Sequence, residues 1–506
     1  MMDLLNNLSL GIQTAVSWEA LFFCFIGVSL GTLVGVLPGI GALAAISMCL
    51  PLTYYLDPTV ALIMLAGIFY GAQYGSSTAA ILLNVPGTAT AAATCLDGYP
   101  MARQGRAGIA LFLTTTSSFI GGSFAILLMM FFAPTLARLA VNFTSAEYFA
   151  IMVLGLVAAS TLSIGSPLKG LAMVILGLAI GVIGMDHHTG IMRYTFGYFE
   201  LSDGIGLVAL AMGVFGIAEI MKNVGMSQEL IIDGKSITLR SLIPTREDFR
   251  TSLGPSGRGS VLGSGIGILP GAGPSLAAFM AYALEKRIAK DPSRFGKGAI
   301  EGIAAPEAAN NASVQAAFIP TLSLGIPGDA VMAVLIGALM IHGITPGPLF
   351  IVEQPALFWG LIVSFWIGNV LLLVLNIPLI GFWVRILTIP YRILFPTVLF
   401  FICIGVYSIN NNVFFVYIAL ICGVLGYMMN AYRFPAAPLL LGFILGPMIE
   451  EHLRRTLLIS RGDFLLFFQR PVSGVFLTLA VILILFVVFT SFRDWRRKLK
   501  NAKLGS

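Results

Sequence analysis

Four Pro-Gly pairs stand in apolar surroundings: Leu37-Pro38-Gly39 with Gly41, Val85-Pro86-Gly87, Leu269-Pro270-Gly271 with Gly273, and Ile326-Pro327-Gly328. Proline and glycine are poor helix formers, so each pair predicts a break that frees backbone amides and carbonyls. Inside hydrocarbon those groups are costly unless protein, water or ligand satisfies them. A helix N-terminus then offers amides to a carboxylate, and unwound carbonyls or a helix C-terminus offer oxygen to a small cation. Beside the breaks stand short oxygen-bearing side chains: Ser76, Ser77, Thr78, Asn84 and Thr88 in the first half, and Asn310, Asn311, Ser313, Ser323 and Asp329 in the second. Almost all are neutral, and they suit a hard cation or a carboxylate.

These considerations divide the candidates by role. Pro38, Gly39, Gly41, Ser76, Ser77, Asn84, Pro86, Gly87, Thr88, Pro270, Gly271, Gly273, Pro327, Gly328 and Asp329 are candidate substrate-binding positions, and Asn310, Asn311, Ser313 and Ser323 are candidate sodium ligands. Glycine and serine also let helices approach closely, but packing alone does not call for four breaks in matching positions. Among ionisable residues in apolar context, Asp97, Glu301, Glu307 and Asp329 stand out. Glu307, in APEAANNAS, is the candidate for ion coupling or a structural partner to an amide or arginine. Asp97, in CLDGYPMARQG, reads as a turn residue on the cytoplasmic side.

The elements that must hold these residues follow from composition. Of 506 residues 58% are hydrophobic and 10% charged, against about a quarter charged in ordinary soluble domains. Apolar runs recur from Trp18 almost to Phe492 and are continuous rather than alternating. The fold class is therefore an all-α polytopic membrane protein in a lipid bilayer, with roughly 12 spans by length. The N-terminus, MMDLLNNLSLGIQTAVSWEA, has no basic residue, so the first apolar run reads as a retained span and not a cleaved signal. Five cysteines, scattered without a CxxC pair, read as small core residues. The net charge of +6 does not call for nucleic acid, because the basic residues sit between spans.

Six Lys/Arg lie between Lys222 and Arg258, five in KRIAKDPSRFGK, and more in the tail RDWRRKLKNAK. With Arg103 and Arg106 they are assigned to the cytoplasm, the N-terminus to the outside and the C-terminus to the inside. The phrase GVLPGIGALAA (Gly35 to Ala45) recurs as GILPGAGPSLAA (Gly267 to Ala278). Setting Gly67-Ile68 against Gly302-Ile303 puts Gly75-Ser76-Ser77 opposite Asn310-Asn311-Ala312 and needs an insertion of about six residues before the second Pro-Gly turn. The connector after the first LPG helix, PLTYYLDPT, lacks basic residues and the one after the VPG turn, MARQGRAG, has two. The second copy reverses this, which predicts two inverted-topology repeats with discontinuous helices and re-entrant hairpins.

The expected organisation is a first repeat core at 1–106, intervening scaffold spans at 107–221, a cytoplasmic basic loop at 222–258, an inverted second core at 259–354, and C-terminal scaffold spans with a basic tail at 355–506. Glu450 to Arg470 resists the scheme: it should lie outside yet has four arginines. Other motifs fail. Gly234-Lys235-Ser236 lacks the upstream glycine of a Walker A loop. Gly254-Pro255-Ser256-Gly257 lies in a charged loop, where a serine nucleophile has no partner. His187-His188 are adjacent and cannot share a helix face. No enzyme is expected, and no cofactor beyond Na+ or H+ as coupling ion.

The phrases GVLPGIGALAA, YGAQYGSSTAAILLNVPGTATAAATCLDGYPMARQGRAG, GILPGAGPSLAAFMAYALEKR, PEAANNA and LGIPGD, in this order, resemble the large membrane subunit of the tripartite tricarboxylate transporters. The resemblance covers essentially the whole chain. It implies a bacterial inner-membrane secondary transporter that works with a periplasmic solute-binding protein and a small membrane subunit. It further implies import of a carboxylate, such as citrate or a related organic acid, driven by an ion gradient. Sodium symport is the leading expectation. The alternatives are a proton-coupled carrier in which Glu307 or Asp329 titrates and, in a different class, an ion channel or a non-transporting membrane scaffold.

Overall fold

The computed structural model describes residues 2–37, 41–140, 142–162, 166–186, 189–223, 239–269, 271–387 and 391–504. Pro38, Gly39, Pro270, His187, His188 and Gly234-Lys235-Ser236 lie outside the described residues. The protein is an all-α polytopic membrane protein. Among the described residues seven helices are long and apolar enough to cross a bilayer, and five shorter apolar helices accompany them. A two-residue β-hairpin, Gly184–Met185 with Met192–Arg193, is the only sheet among the described residues.

Two helix pairs form the centre. Trp18–Val36 runs parallel to Pro58–Leu83, and Arg246–Gly267 runs parallel to Glu301–Ala316. Both pairs interlock through glycines at every fourth position. A Cβ on Gly27, Gly31 or Gly35 would collide with the carbonyl of Met64, Ile68 or Ala72, and one on Gly259, Gly263 or Gly267 with the carbonyl of Ala305, Ala309 or Ser313. Residues four apart share a helix face, so each glycine row is a flat strip against which a partner backbone lies. The helix pairs therefore touch main chain to main chain.

The contacts also set the register between the halves, and it differs from the sequence expectation. The glycines are separated by 232 positions (27 to 259, 31 to 263, 35 to 267), and their partners by 241 (64 to 305, 68 to 309, 72 to 313). The same 241 relates Asn84 to Gly325, the left-handed C-caps at φ 57° and 71° that end the long helix in each half. No insertion is needed before the second Pro-Gly turn. The counterparts of Ser76 and Ser77 are Ala317 and Phe318, and those of Asn310 and Asn311 are Phe69 and Tyr70. The extra length lies in the connector before Glu301, where Asp291 caps a short turn at Pro292–Arg294.

Each first helix stops halfway along its partner, because Gly35 is level with Ala72 and Gly267 with Ser313. The next described helices are Gly41–Thr53 and Gly273–Ile288. Pro58–Leu83 and the helix begun by Glu301 cross antiparallel: Ser77 meets Glu307, while Gly98 lies against both Ile81 and Ile303. Pro320 removes one amide donor, and that second helix is interrupted at Ala317 before Phe318–Leu324.

The expected basic loop at 222–258 needs correction. Residues from Arg246 onward belong to the helix Arg246–Gly267, which a Thr245/Asp248 capping box starts. Its charged first turns hid it from a hydropathy reading, whereas its buried face of Ser252, Ser256, Gly259 and Ser260 is small rather than apolar. Gly254-Pro255-Ser256-Gly257 is thus helical, and Ser256 Oγ is a buried partner of Ser117 Oγ at 2.9 Å. Two of the four arginines of Glu450 to Arg470 have buried acidic partners. Helix Ala436–Ile459 runs on through Glu450, Arg454 pairs with Asp186 at 3.0 Å and Glu450 at 2.8 Å, and Arg470 pairs with Glu147 at 2.7 Å.

The interlock predicts a sharp positional effect. Gly31→Val is expected to destabilise the protein by about 1–3 kcal/mol through overpacking, read as a lower thermal midpoint in detergent. Gly265, with nothing within 4 Å of an added Cβ, serves as control through Gly265→Ala. Equal midpoints for Gly31→Val and wild type would remove the interlock from the account of stability.

Candidate functional site

After Asn84 the first half turns back on itself. The segment through Val85-Pro86-Gly87 returns alongside the helix it has just left, so that Thr88 Oγ1 donates to Ser76 Oγ at 3.0 Å and Thr90 Oγ1 to Gln73 Oε1 at 2.7 Å. Gly87 permits this path, since a Cβ there would collide with the Gly35 carbonyl at the end of the first interlocking helix. The short helix Ala92–Met101 then leads out again. The expected positions Ser76, Pro86, Gly87 and Thr88 thus gather beside Gly35, near the end of helix Trp18–Val36. Asn84 does not; it is an exposed helix cap.

Glu307 is at the crossing of the long helices and 1% exposed. Its Oε1 accepts from Ser77 Oγ at 2.7 Å and Thr94 Oγ1 at 2.5 Å, and its Oε2 accepts from Ser118 Oγ at 3.0 Å. The three hydroxyls come from Pro58–Leu83, Ala92–Met101 and Ala107–Ala140, so one carboxylate binds three first-half helices to a second-half helix. No cationic side chain is among these partners. A buried carboxylate requires such donors, because its lone pairs have lost water.

The second half carries a different chemistry. Asn310, Asn311 and Ser313 are at most 2% exposed, on the turn level with Gly267. Asn311 Nδ2 donates to the Glu307 carbonyl at 3.2 Å. The Asn311 Oδ1, both polar atoms of Asn310 and the Ser313 Oγ have no hydrogen-bond partner among the described residues. Gly328 lies near the Gly267 carbonyl, and its own carbonyl accepts from Gly271 N at 2.8 Å, which brings the second LPG tip and the IPG turn together. Gly271 and Gly273 have φ of +77° and +65°, conformations that side chains rarely adopt. Asp329, 241 positions after Thr88, caps Ala330–Ile341 by accepting from Met332 N at 2.9 Å. Ser323 is separate from this group: it donates to the Ala133 carbonyl at 3.3 Å, and it stands about 15 Å along the helix from Ser313.

Asp97 is not a turn residue. It lies in Ala92–Met101 with 0% exposure, where its Oδ1 accepts from the amides of Gly296, Gly298 and Ala299, each at 2.8 Å, and its Oδ2 from Tyr282 Oη at 3.0 Å. Arg106–Asp248 at 2.6 Å and Gln104 Nε2 to the Lys297 carbonyl at 2.8 Å join the halves at the same end. Sequence reasoning missed Gln73, Thr90, Thr94 and Ser118. For Gln73 a signal existed, because it is three residues before Ser76 on one helix face.

Two paired broken hairpins around a buried polar centre are transporter architecture, and comparison with known proteins decides the family. Residues 21–441 match the tripartite tricarboxylate transporter TctA family. The chain belongs to it. A relative from Agrobacterium vitis, described as an uncharacterized 52.8 kDa protein in the TAR-I ttuC' 3' region, is 51% identical over 98% of this chain and 99% of its own length. A second Agrobacterium vitis relative, an uncharacterized protein in the TAR-II ttuC' 3' region, is 54% identical over 46% of this chain and 97% of its own length. No solved structure matches the chain. As a TctA-family member it is a multi-pass membrane component of a tripartite tricarboxylate transporter.

The Glu307 arrangement yields a stability prediction. Thr94→Val keeps the shape but takes one donor from a buried carboxylate, and it is expected to cost about 1.5–3 kcal/mol. Ser323→Ala, with a single long bond to a carbonyl, is expected to cost about 1 kcal/mol or less. Thermal unfolding of both variants in the same detergent checks the order; a Thr94→Val protein no less stable than Ser323→Ala overturns it.

Proposed function

We propose that this TctA-family chain is an ion-gradient-driven secondary transporter. It imports a carboxylate, a tricarboxylate such as citrate or a related organic acid, delivered by a periplasmic solute-binding protein, and it works with a small membrane subunit. Sodium symport is the leading form. The observations that carry this reading are the two interlocked helix pairs, one in each half, joined where Ser77 meets Glu307, and the buried asparagine and serine groups that lack partners among the described residues. Freed carbonyls with Asn310, Asn311 and Ser313 would hold sodium. Break amides with the Ser76, Thr88 and Asp329 region would hold substrate carboxylates.

The constant separations within each half and the antiparallel crossing support an inverted repeat. The basic connectors support a bacterial inner-membrane orientation with the N-terminus periplasmic and the C-terminus cytoplasmic. Within 107–221 and 355–506, helices Ala107–Ala140 and Pro355–Asn376 are tied to the cores through Ser118 and Asn369, and the remaining helices would serve as scaffold. Proton coupling is the second reading, and the specific observation in its favour is Glu307, a buried carboxylate held only by hydroxyls. A channel has less support, because paired broken hairpins bind and release rather than line a continuous pore.

Uptake into proteoliposomes containing this chain, its small subunit and a loaded binding protein tests the proposal. A sodium gradient imposed at equal pH is expected to drive accumulation, and a proton gradient alone is not. Accumulation that follows only the proton gradient transfers the coupling role to Glu307 or Asp329. Uptake indifferent to both gradients would sink secondary transport.

A further inference from the structure

Asn310 is 1% exposed, and both ends of its amide lack a partner among the described residues. The two ends ask for opposite chemistry: the oxygen accepts hydrogen bonds or ligates a cation, and the NH2 only donates. A bare cation satisfies one end and leaves the other unpaired; a carboxylate does the reverse.

Ser313 is one turn further along, on the same helix face, with 0% exposure and an unpartnered hydroxyl. Gly267 packs on the Ser313 backbone as the last residue of the 22-residue helix Arg246–Gly267. The final carbonyls of a helix have no intrahelical donor, and the C-terminal end of the dipole favours positive charge. Among the described residues no Lys or Arg is buried, while Glu307 is. The positive charge that a substrate carboxylate needs in this core must therefore arrive with it.

We propose that Asn310 and Ser313, against the second LPG tip, form a joint site in which a monovalent cation and a substrate carboxylate bind in contact. The Asn310 amide oxygen and the Ser313 hydroxyl ligate the cation, and the Asn310 NH2 donates to the carboxylate. This rests on the carboxylate-transport reading and specifies its coupling: each ligand completes the other's site, so each raises the other's affinity by the same factor.

The test is a sodium titration of the purified full chain, with choline holding ionic strength constant, followed by thermal shift. It is run with and without a mixture of citrate, malate, succinate and tartrate. In the wild type sodium is expected to stabilise saturably, and the carboxylates to lower the half-saturating concentration. Asn310→Ala and Ser313→Ala are each expected to raise that concentration roughly tenfold or more. Asn310→Asp keeps oxygen ligands and loses the donor, so sodium still stabilises and the carboxylates no longer help. Should Asn310→Ala fail to fold, Ser313→Ala and Asn310→Asp carry the test. Absence of a saturable sodium effect in the wild type, or an unchanged midpoint in the alanine variants, overturns the joint site. Sodium-driven uptake by proteoliposomes of Asn310→Ala at the wild-type midpoint overturns this site alone, whereas no uptake by the wild type under any gradient overturns the transport reading beneath it.

Discussion

A backbone that leaves its helix inside a bilayer must find partners within the protein, and here that constraint is met by bringing main chains into contact. Gly27, Gly31 and Gly35 in one half, and Gly259, Gly263 and Gly267 in the other, remove every side chain that would hold two helices apart. The first helix of each pair can then end beside the middle of its partner, where lipid is excluded and freed carbonyls face protein. The later turns depend on the same approach: only a glycine fits at position 87, because the Gly35 carbonyl occupies the space of a Cβ, and Gly271 N donates to the Gly328 carbonyl in the second half. Larger residues in the glycine rows would separate the helices and leave the breaks in hydrocarbon.

The two halves share this backbone plan but not their side-chain chemistry. In the first half Gln73, Ser76, Thr88 and Thr90 bond one another, and Ser77 is committed to Glu307. In the second, Ala317 and Phe318 take the places of Ser76 and Ser77, and the polar groups move to Asn310 and Ser313, where partners are missing. Thr88 is replaced by Asp329, a helix cap. A ligand held between the two halves would therefore touch unlike surfaces, one already satisfied by its own hydroxyls and the other offering a donor and an acceptor without partners among the described residues. Such asymmetry suits an anion and a cation together better than two copies of one ion.

The breaks were legible in the sequence because proline and glycine act locally, and so was the membrane class, because hydropathy needs no tertiary information. The register between the halves was not. Gly67-Ile68 resembles Gly302-Ile303 as letters, but what fixes register is which carbonyl lies under which glycine, a relation between segments far apart in the chain. Helix Arg246–Gly267 was hidden for a related reason: its buried face is made of serine and glycine, which hydropathy does not register as core. Asp97 read as a turn because its partners, the amides of Gly296, Gly298 and Ala299, are two hundred residues away. Ser118 and Thr94 carry no local mark at all; they matter only because Glu307 is opposite them.

These long-range partners bear on how such a protein could alternate. Separating the halves at their crossing would strip three hydroxyls from Glu307 and leave an ionised carboxylate facing an apolar core, a cost that few movements could recover. It would also pull Asp97 from three backbone amides and part Arg106 from Asp248. The crossing helices are therefore better suited to move as one body than to open against each other. The C-terminal helices are differently placed: the apolar stretch 471–489 is largely unburied, and before it Arg454 pairs with Asp186 of the β-hairpin and Arg470 with Glu147 in the first turn of helix Ser145–Leu162, not with the central cores. A boundary that carries few buried polar ties is where sliding costs least, which favours displacement of the joined cores past a peripheral scaffold.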